Sequence, residues 1–171
     1  MKSEAPDSKA RRDDLGTNLE IIRQLTDGRR SFRAIADDLG IAENTVRRRV
    51  KELCDSGVMH ITSLVDPSRV SNHTLVIIGV KLNTTNNLMQ KCHEFRRLVG
   101  VTASAVVTGR YHLIIVVLLN EGLSLLDFYE REVSTIEGVV DCETFAVYGN
   151  DNFLVPYILP APPDVRERDN G

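Results

Sequence analysis

The chain lacks the features from which disulfide-bonded, metal-binding and membrane-spanning proteins are built. It has three cysteines, Cys54, Cys92 and Cys142, with no C-x-x-C pair and no neighbouring histidine cluster, which argues against a disulfide framework or a zinc site. Its longest strongly apolar run, residues 113–119, is far too short to span a bilayer, and the polar N-terminal residues do not form a signal peptide. We therefore expect the protein to remain in the cytoplasm.

The sequence also lacks the residue patterns of a catalytic site. Its four histidines fall in separate predicted elements, so no metal constellation is expected. No serine or cysteine is accompanied by the base and orienting group that nucleophilic catalysis requires, and no glycine-rich loop of the phosphate-binding type is present. We therefore predict that the protein is not an enzyme, holds no metal and needs no cofactor.

A formal net charge of −3 over 171 residues is unusual for a protein that binds nucleic acid. The basic residues, however, are concentrated in one short segment, whereas acidic residues dominate the second half. The basic segment contains Arg29, Arg30, Arg33, Arg47, Arg48, Arg49 and Lys51. This asymmetry favours nucleic-acid binding in spite of the negative sum, and the length is sufficient for two small domains.

Two short helices joined by a tight turn are predicted between residues 31 and 57. The first has Ser31 as its N-cap and ends at Gly40, and the second runs from Glu43 to just before Gly57. Their apolar stripes at helical spacing are Ile35, Ala36 and Leu39 in the first helix and Val46, Val50, Leu53 and Cys54 in the second. An earlier helix from about Asp14 completes a three-helix bundle, with Leu15, Leu19, Ile22 and Leu25 directed inward.

The outer face of the second short helix is basic. At about 100° of rotation per residue, its polar and basic residues form one sector opposite the apolar stripe. The residues predicted to contact DNA are Arg33, Asn44, Thr45, Arg47, Arg48 and Lys51. Arg49 instead flanks the stripe and is expected to pair with a local acid such as Asp37 or Asp38. The pattern predicts a helix-turn-helix that reads the DNA major groove; the alternative is a structural helical pair with a solvated charged face.

The second half of the chain alternates between strand and helix patterns. Strands are predicted at 74–82, 101–108, 112–119 and 139–148, and helices at 86–98 and 123–136. This order, βαββαβ, is that of a ferredoxin-like antiparallel sheet with both helices on one face. The fold class is therefore α+β, and the alternating segment 58–65 supplies a strand that serves either as a wing or as a crossover between the two domains.

Two of these strands are apolar on both faces, at residues 75–78 and 113–119. A sheet that helices cover on one side only normally alternates apolar and polar residues. We therefore expect the open face to be buried against the same sheet of a second subunit, in a symmetric dimer. The alternative is a monomer that tolerates aggregation-prone strands.

Two sequence segments resemble a known family. The segment RSFRAIADDLGIAENTVRRRVKELCDSGVM is similar to the helix-turn-helix of the Lrp/AsnC transcription regulators, and VVTGRYHLIIVV resembles the hairpin of their ligand-sensing domain. The resemblance covers about residues 14–158. It implies a transcriptional regulator of double-stranded DNA, a homodimer or a higher assembly that is often an octamer, and an effector that is an amino acid or a related small metabolite.

The resemblance also suggests where the effector binds, near the turn formed by Thr108, Gly109, Arg110, Tyr111 and His112. The alternative is a simple hairpin turn with Arg110 as a solvated tip. His112 stands where the family has an acidic residue, so we expect weaker binding of zwitterionic amino acids and stronger binding of anionic or aromatic ligands. A second departure is Ala42, which stands where the family has a serine or threonine cap on the recognition helix.

Two other functions remain open from the sequence. Sirohaem decarboxylases resemble the same two-part architecture, in which case His112 and Arg110 would be catalytic; the third possibility is a ligand-sensing partner protein without DNA activity. The outward alignment of Arg47, Arg48 and Lys51 argues against both.

The predicted domains are a disordered arm at 1–12, the winged helix-turn-helix domain at 13–65, a linker at 66–73, the ferredoxin-like effector and oligomerisation domain at 74–158, and a flexible tail at 159–171.

Overall fold

The computed structural model describes residues 6–159 of the chain, with side chains described from residue 14 onward. The chain divides into two compact units, with the boundary between Thr62 and Ser63. Residues 1–5 and 160–171, which include parts of the predicted arm and tail, lie outside the described residues.

The first unit is a bundle of three helices, α1 (Pro6–Gln24), α2 (Phe32–Leu39) and α3 (Glu43–Asp55). The N-cap prediction for α2 is confirmed, because the Ser31 hydroxyl accepts the N–H of Ala34 at 3.2 Å. Gly40 ends that helix at φ +63°, a left-handed conformation that glycine adopts without strain. Ala42 precedes α3 and provides no side-chain hydrogen bond to it.

The helix α1 begins earlier than predicted. Residues 6–12, predicted as part of a disordered arm, are helical. The sequence in this stretch has Lys9, Ala10, Arg11 and Arg12, all of which have high intrinsic helix propensity, and they extend the helix toward the N-terminus.

The core of the first unit confirms the apolar stripes of α2 and α3 but corrects that of α1. Ile35, Ala36, Val46 and Val50 are all buried, together with Ile21 of α1. The exposed fractions of Leu15 and Leu19, which were predicted to point inward, are 59% and 58%. The residues that pack on the bundle are instead spaced by three or four positions and include two polar side chains: Asp14, Asn18, Ile21 and Leu25. This face is selected because Asp14 and Asn18 bind the Arg49 side chain of α3.

The second unit contains a four-stranded antiparallel sheet. Its elements are β1 (Leu64–Val65), a 3-10 turn (Pro67–Arg69), β2 (Thr74–Leu82), α4 (Leu88–Arg96), β3 (Val101–Val106), β4 (Leu113–Leu119), α5 (Leu125–Asp127), β5 (Val139–Ala146) and β6 (Val155–Pro156). The strand order β3-β4-β2-β5 confirms the ferredoxin-like arrangement.

The second predicted helix, 123–136, is not one continuous α-helix. The short α5 continues as a π-helix, Phe128–Glu132, and then as a 3-10 turn, Val133–Thr135. The reason lies in the apolar spacing: Phe128 and Val133 are both buried and stand five residues apart, and i→i+5 hydrogen bonding brings such residues onto the same face.

The segment predicted as a wing or a crossover is not a wing. Residues 58–63 contain no strand, and β1 pairs with β6 inside the second unit, with Leu64 opposite Pro156 and Val65 opposite Val155. The segment proposed as a linker, 66–73, contains the 3-10 turn with buried Pro67, and Leu159, proposed as the start of the tail, is buried in the core.

The two faces of the main sheet differ in what covers them. One face carries buried residues such as Val80 and Ile115, which pack in the same cluster as Phe95 and Phe128 of the helical layer. On the other face, strand pairing aligns an apolar row across all four strands, formed by Ala103, Val116, Ile77 and Phe145. The exposed fraction of Phe145 is 46%. A single copy of the chain therefore leaves an apolar sheet face partly open.

Asp66 joins the beginning of the second unit to its C-terminal segment. Its Oδ1 accepts the Ser68 N–H at 3.0 Å, the Ser68 hydroxyl at 2.6 Å and the Asn150 side-chain N–H at 3.1 Å. The Ser68 hydroxyl and the Asn150 amide, with smaller contributions from the Ser68 N–H and from Arg69, lower the pKa of Asp66 from 3.8 to about 2. The charged form of Asp66 is therefore the one that holds Asn150.

We expect the Asp66 contribution to stability to depend on pH in one direction. Because the folded-state pKa is depressed, the contribution is complete above pH ~4 and is lost as the pH falls from about 4 toward about 2. Denaturant unfolding at a series of pH values should show wild type more stable than Asp66→Asn at pH 6, and the difference should shrink below pH ~4. A difference that stays constant down to pH ~2 would contradict this role for the carboxylate.

Candidate nucleic-acid interface and effector turn

The orientation of α3 is fixed by its inner face. Val46, Val50 and Leu53 are buried, with exposed fractions of 0%, 5% and 7%. Since one helix face is committed to the core, the residues on the opposite side must face away from it. Arg47 and Arg48 are exposed there, as the sequence predicted.

Every basic side chain on the outer face of α3 is paired with an acid one helical turn away. Arg47 donates to Glu43 at 2.8 Å, Arg48 donates to Glu52 at 2.7 Å, and Lys51 donates to Asp55. All six side chains are at least 42% exposed. Exposed ion pairs one turn apart contribute little to stability, so the cations remain available to exchange a carboxylate for a phosphate or a base.

The Arg47 side chain has a second partner. Its guanidinium lies over the ring of Phe32, the first residue of α2, with 5.4 Å between the guanidinium carbon and the ring centroid. An arginine held by a carboxylate on one side and an aromatic face on the other loses less side-chain entropy when it binds a ligand. The N-terminal end of α3 therefore presents a partly pre-organised arginine.

Arg49 has a structural role, but with partners other than those predicted. Its side chain is only 15% exposed, and it donates to Asp14 and to Asn18 of α1, the latter at 2.9 Å. The predicted partner Asp38 binds Arg30 instead. The predicted partners are wrong because the apolar pattern of α1 indicates that Leu15 and Leu19 face the bundle. In the structure a different face of α1, with Asp14 and Asn18, lies next to α3.

The remaining residues predicted to contact DNA lie near the start of the two helices. Asn44 is exposed and Thr45 is half-buried in the first turn of α3, and Arg33 is exposed in the first turn of α2. The sequence interpretation did not select Glu43, Glu52 or Phe32. The i, i+4 spacing of acid and base could have identified the two glutamates, whereas the contact of Phe32 depends on how α2 packs on α3.

The turn between β3 and β4 is built around an aromatic ring. Gly109 adopts φ +118°, a conformation that other residues rarely tolerate. The ring of Tyr111 covers Gly79 so closely that a Cβ at that position would lie 2.6 Å from it. The phenolic oxygen of Tyr111 is buried and has no hydrogen-bond partner among the described residues. A buried hydroxyl without a partner is costly, which makes this oxygen a candidate contact for a ligand or a second chain.

The side chains of Arg110 and His112 in this turn already have partners. Arg110 pairs with Glu143 at 3.4 Å and also lies over the Tyr111 ring, with 5.5 Å between the guanidinium carbon and the ring centroid. His112 accepts the backbone N–H of Leu82 at Nδ1, with a distance of 2.9 Å. In this arrangement the ring proton of neutral His112 is on Nε2, so the free nitrogen of the ring is a donor.

The geometry of α2 and α3 agrees with the comparison to known proteins. The family model of the AsnC-type helix-turn-helix domain matches residues 16–53. An uncharacterized HTH-type transcriptional regulator of Pyrococcus horikoshii is 32% identical over 134 residues, which cover 75% of this chain and 85% of that protein. The chain belongs to the Lrp/AsnC family of transcriptional regulators. It binds DNA and regulates transcription, as the sequence predicted.

Other relatives and solved structures agree with this assignment. The HTH-type transcriptional regulator Ptr1 of Methanocaldococcus jannaschii is 28% identical over 134 residues, which cover 76% of this chain and 88% of that protein. The solved structure of Escherichia coli AsnC has the same fold, with a TM-score of 0.59 at 21% identity over 79% of this chain and 92% of that chain. The leucine response regulatory protein of Mycobacterium tuberculosis has the same fold, with a TM-score of 0.66 at 17% identity over 78% of this chain and 92% of that chain.

The described part of the chain offers neither a membrane-spanning helix nor a cluster of metal ligands. No helix in the described part of the chain combines the length and the apolar character that a membrane span needs. Among residues whose side chains are described, no group of three or more histidine, cysteine, aspartate or glutamate side chains could hold a metal ion.

Proposed function

We propose that this Lrp/AsnC regulator binds double-stranded DNA as a symmetric dimer, with α3 in the major groove, and that a small metabolite bound near residues 108–112 modulates it. The observation that carries the DNA part is the exposed row of cations on α3 opposite a fully buried apolar stripe. Recognition helices contact base edges through their N-terminal residues. Asn44 and Arg47 are therefore assigned to bases, and Arg48 and Lys51 to phosphates.

The dimer is supported by the open face of the sheet. The row of Ala103, Val116, Ile77 and Phe145 presents small, branched and aromatic side chains to its surroundings, with no charge among them. A second copy of the same face covers this row with matching chemistry, and a two-fold axis then supplies two α3 helices for two half-sites. Further association of dimers, up to an octamer, is proposed from family membership alone.

The effector class is supported by the groups around Tyr111. The unpartnered phenolic oxygen and the donor nitrogen of His112 both suit a carboxylate, and Arg110 and Lys81 place two cations near the same ring. A solved structure with this fold, from Neisseria meningitidis, is a complex with L-Met, at a TM-score of 0.59 and 18% identity. We assign an amino acid or a related metabolite as the effector, with a preference for added anionic or aromatic groups.

The chain is proposed to act as a regulator and not as an enzyme. The cations Arg47, Arg48 and Lys51 are exposed on the outer face of α3, which a DNA-binding helix needs and a sirohaem decarboxylase does not. The relatives that match most of the chain are transcriptional regulators. Because its partner is chromosomal DNA, the protein is proposed to act in the cytoplasm.

Replacing Arg48 by alanine is expected to weaken binding to a random-sequence duplex of about 30 base pairs and to lower the salt-dependence slope by about one unit, since one phosphate contact is lost. Fluorescence anisotropy at several salt concentrations measures both quantities. The matched control is Arg49→Ala, which should lower the melting temperature by several degrees, because Asp14 loses its partner, and leave the slope unchanged. Equal slopes for wild type and Arg48→Ala would remove the phosphate assignment.

The dimer interface is tested by Val116→Asp, which places a charge in the middle of the apolar row. We expect light scattering to give at least twice the chain mass of 19.1 kDa for wild type and 19.1 kDa for the variant, because an unpaired charge cannot be buried between two sheets. Leu126→Asp is the matched control, since Leu126 is 66% exposed on the helical side. Monomeric wild type, or an unchanged mass for Val116→Asp, would contradict the interface.

The effector assignment is tested by calorimetric titration of the full chain with amino acids, 2-oxo acids and aromatic acids. Wild type should bind the anionic and aromatic ligands more tightly than zwitterionic amino acids, and His112→Asp should reverse the order, because a carboxylate accepts from an ammonium group. The control is His112→Asn, because asparagine provides an acceptor oxygen as aspartate does but carries no negative charge. Tight binding of an ordinary amino acid by wild type, unaffected by either substitution, would refute this role of His112.

A further inference from the structure

Glu43 has a position that sets it apart from the other acids of α3. It is the first residue of the helix, its side chain is 42% exposed, and its Oε1 accepts from the Arg47 guanidinium at 2.8 Å. Arg47 in turn lies over Phe32. A carboxylate and a guanidinium are therefore held side by side at the N-terminal end of the helix that enters the groove.

The other two acids that pair with the outward cations lie farther along the helix. Glu52 and Asp55 pair with Arg48 and Lys51 in the last two turns of α3. Because a recognition helix meets base edges with its N-terminal residues, the C-terminal acids lie farther from the bases. Glu43 alone among these three acids occupies the position from which a base edge is within reach.

We propose that Glu43 is a specificity-determining residue that accepts a hydrogen bond from the N4 amino group of a cytosine, next to the base bound by Arg47. This assignment rests on the proposed placement of α3 in the major groove. An ionised carboxylate only accepts hydrogen bonds. Cytosine presents a donor in the major groove, whereas guanine presents two acceptors and the donor of adenine stands beside the acceptor N7. The chemistry of Glu43 therefore selects cytosine.

The ion pair with Arg47 explains how Glu43 acts against incorrect sequences. When Arg47 turns to a base, Glu43 loses its partner and lies close to DNA phosphates of the same charge. At a matching site the cytosine amino group replaces the arginine as a donor. At other sites no base donor replaces the arginine, so the unpaired carboxylate disfavours binding there.

The test is selection of binding sites from a random-sequence duplex library by full-length wild type, Glu43→Gln and Glu52→Gln. Wild type should enrich cytosine at one position of each half-site. Glu43→Gln should lose that preference by about tenfold and shift it toward adenine, because glutamine pairs with N6 and N7 of adenine. Glu52→Gln removes the same charge from the same helix, nine residues away from Glu43, so it should raise affinity for all sequences and leave the cytosine preference unchanged.

Several outcomes would overturn the assignment. Wild type with no enriched cytosine, an unchanged cytosine preference in Glu43→Gln, or an equal loss of preference in Glu52→Gln would each show that Glu43 does not read a base. Failure of wild type to bind duplex DNA would overturn the proposed function together with this assignment, whereas sequence-selective binding without cytosine selection overturns the assignment alone.

Discussion

The burial of one apolar stripe on α3 is the constraint on which the DNA-binding unit depends. Val46, Val50 and Leu53 have exposed fractions of 7% or less. The packing of Val46 and Val50 against α1 and α2 fixes the rotation of α3 about its axis. That rotation directs Arg47 and Arg48 outward. It also directs Arg49 toward α1, so that neighbouring arginines in the sequence have different surroundings.

The sequence was sufficient to predict α2, α3 and the order of strands and helices in the second unit, because local periodicity determines them. It was not sufficient for α1, whose apolar pattern favours a face with Leu15 and Leu19. Arg49 binds Asp14 and Asn18, and this long-range contact selects the neighbouring, partly polar face that contains Ile21. Similarly, the packing of Tyr111 on Gly79 joins segments that are distant in the sequence, so no pattern of neighbouring residues predicts it.

The charges of α3 show why net charge is a poor guide to DNA binding in this family member. Each outward cation has its own acid one turn away, so the helix face is nearly balanced even though it is the face that we propose meets DNA. Such pairs add little to folding stability. We expect their main effect to be on DNA binding, because they reduce the general attraction to phosphates and leave selectivity to contacts with base edges.

The most direct test of this account is an NMR titration of the full chain with a random-sequence DNA duplex, followed through backbone amide and arginine side-chain signals. The account predicts that the largest shifts occur at residues 43–51 and at the guanidinium groups of Arg47 and Arg48, with the Arg49 guanidinium largely unaffected because it is bound to α1. Shifts confined to residues 63–159, or equal shifts for Arg48 and Arg49, would contradict it.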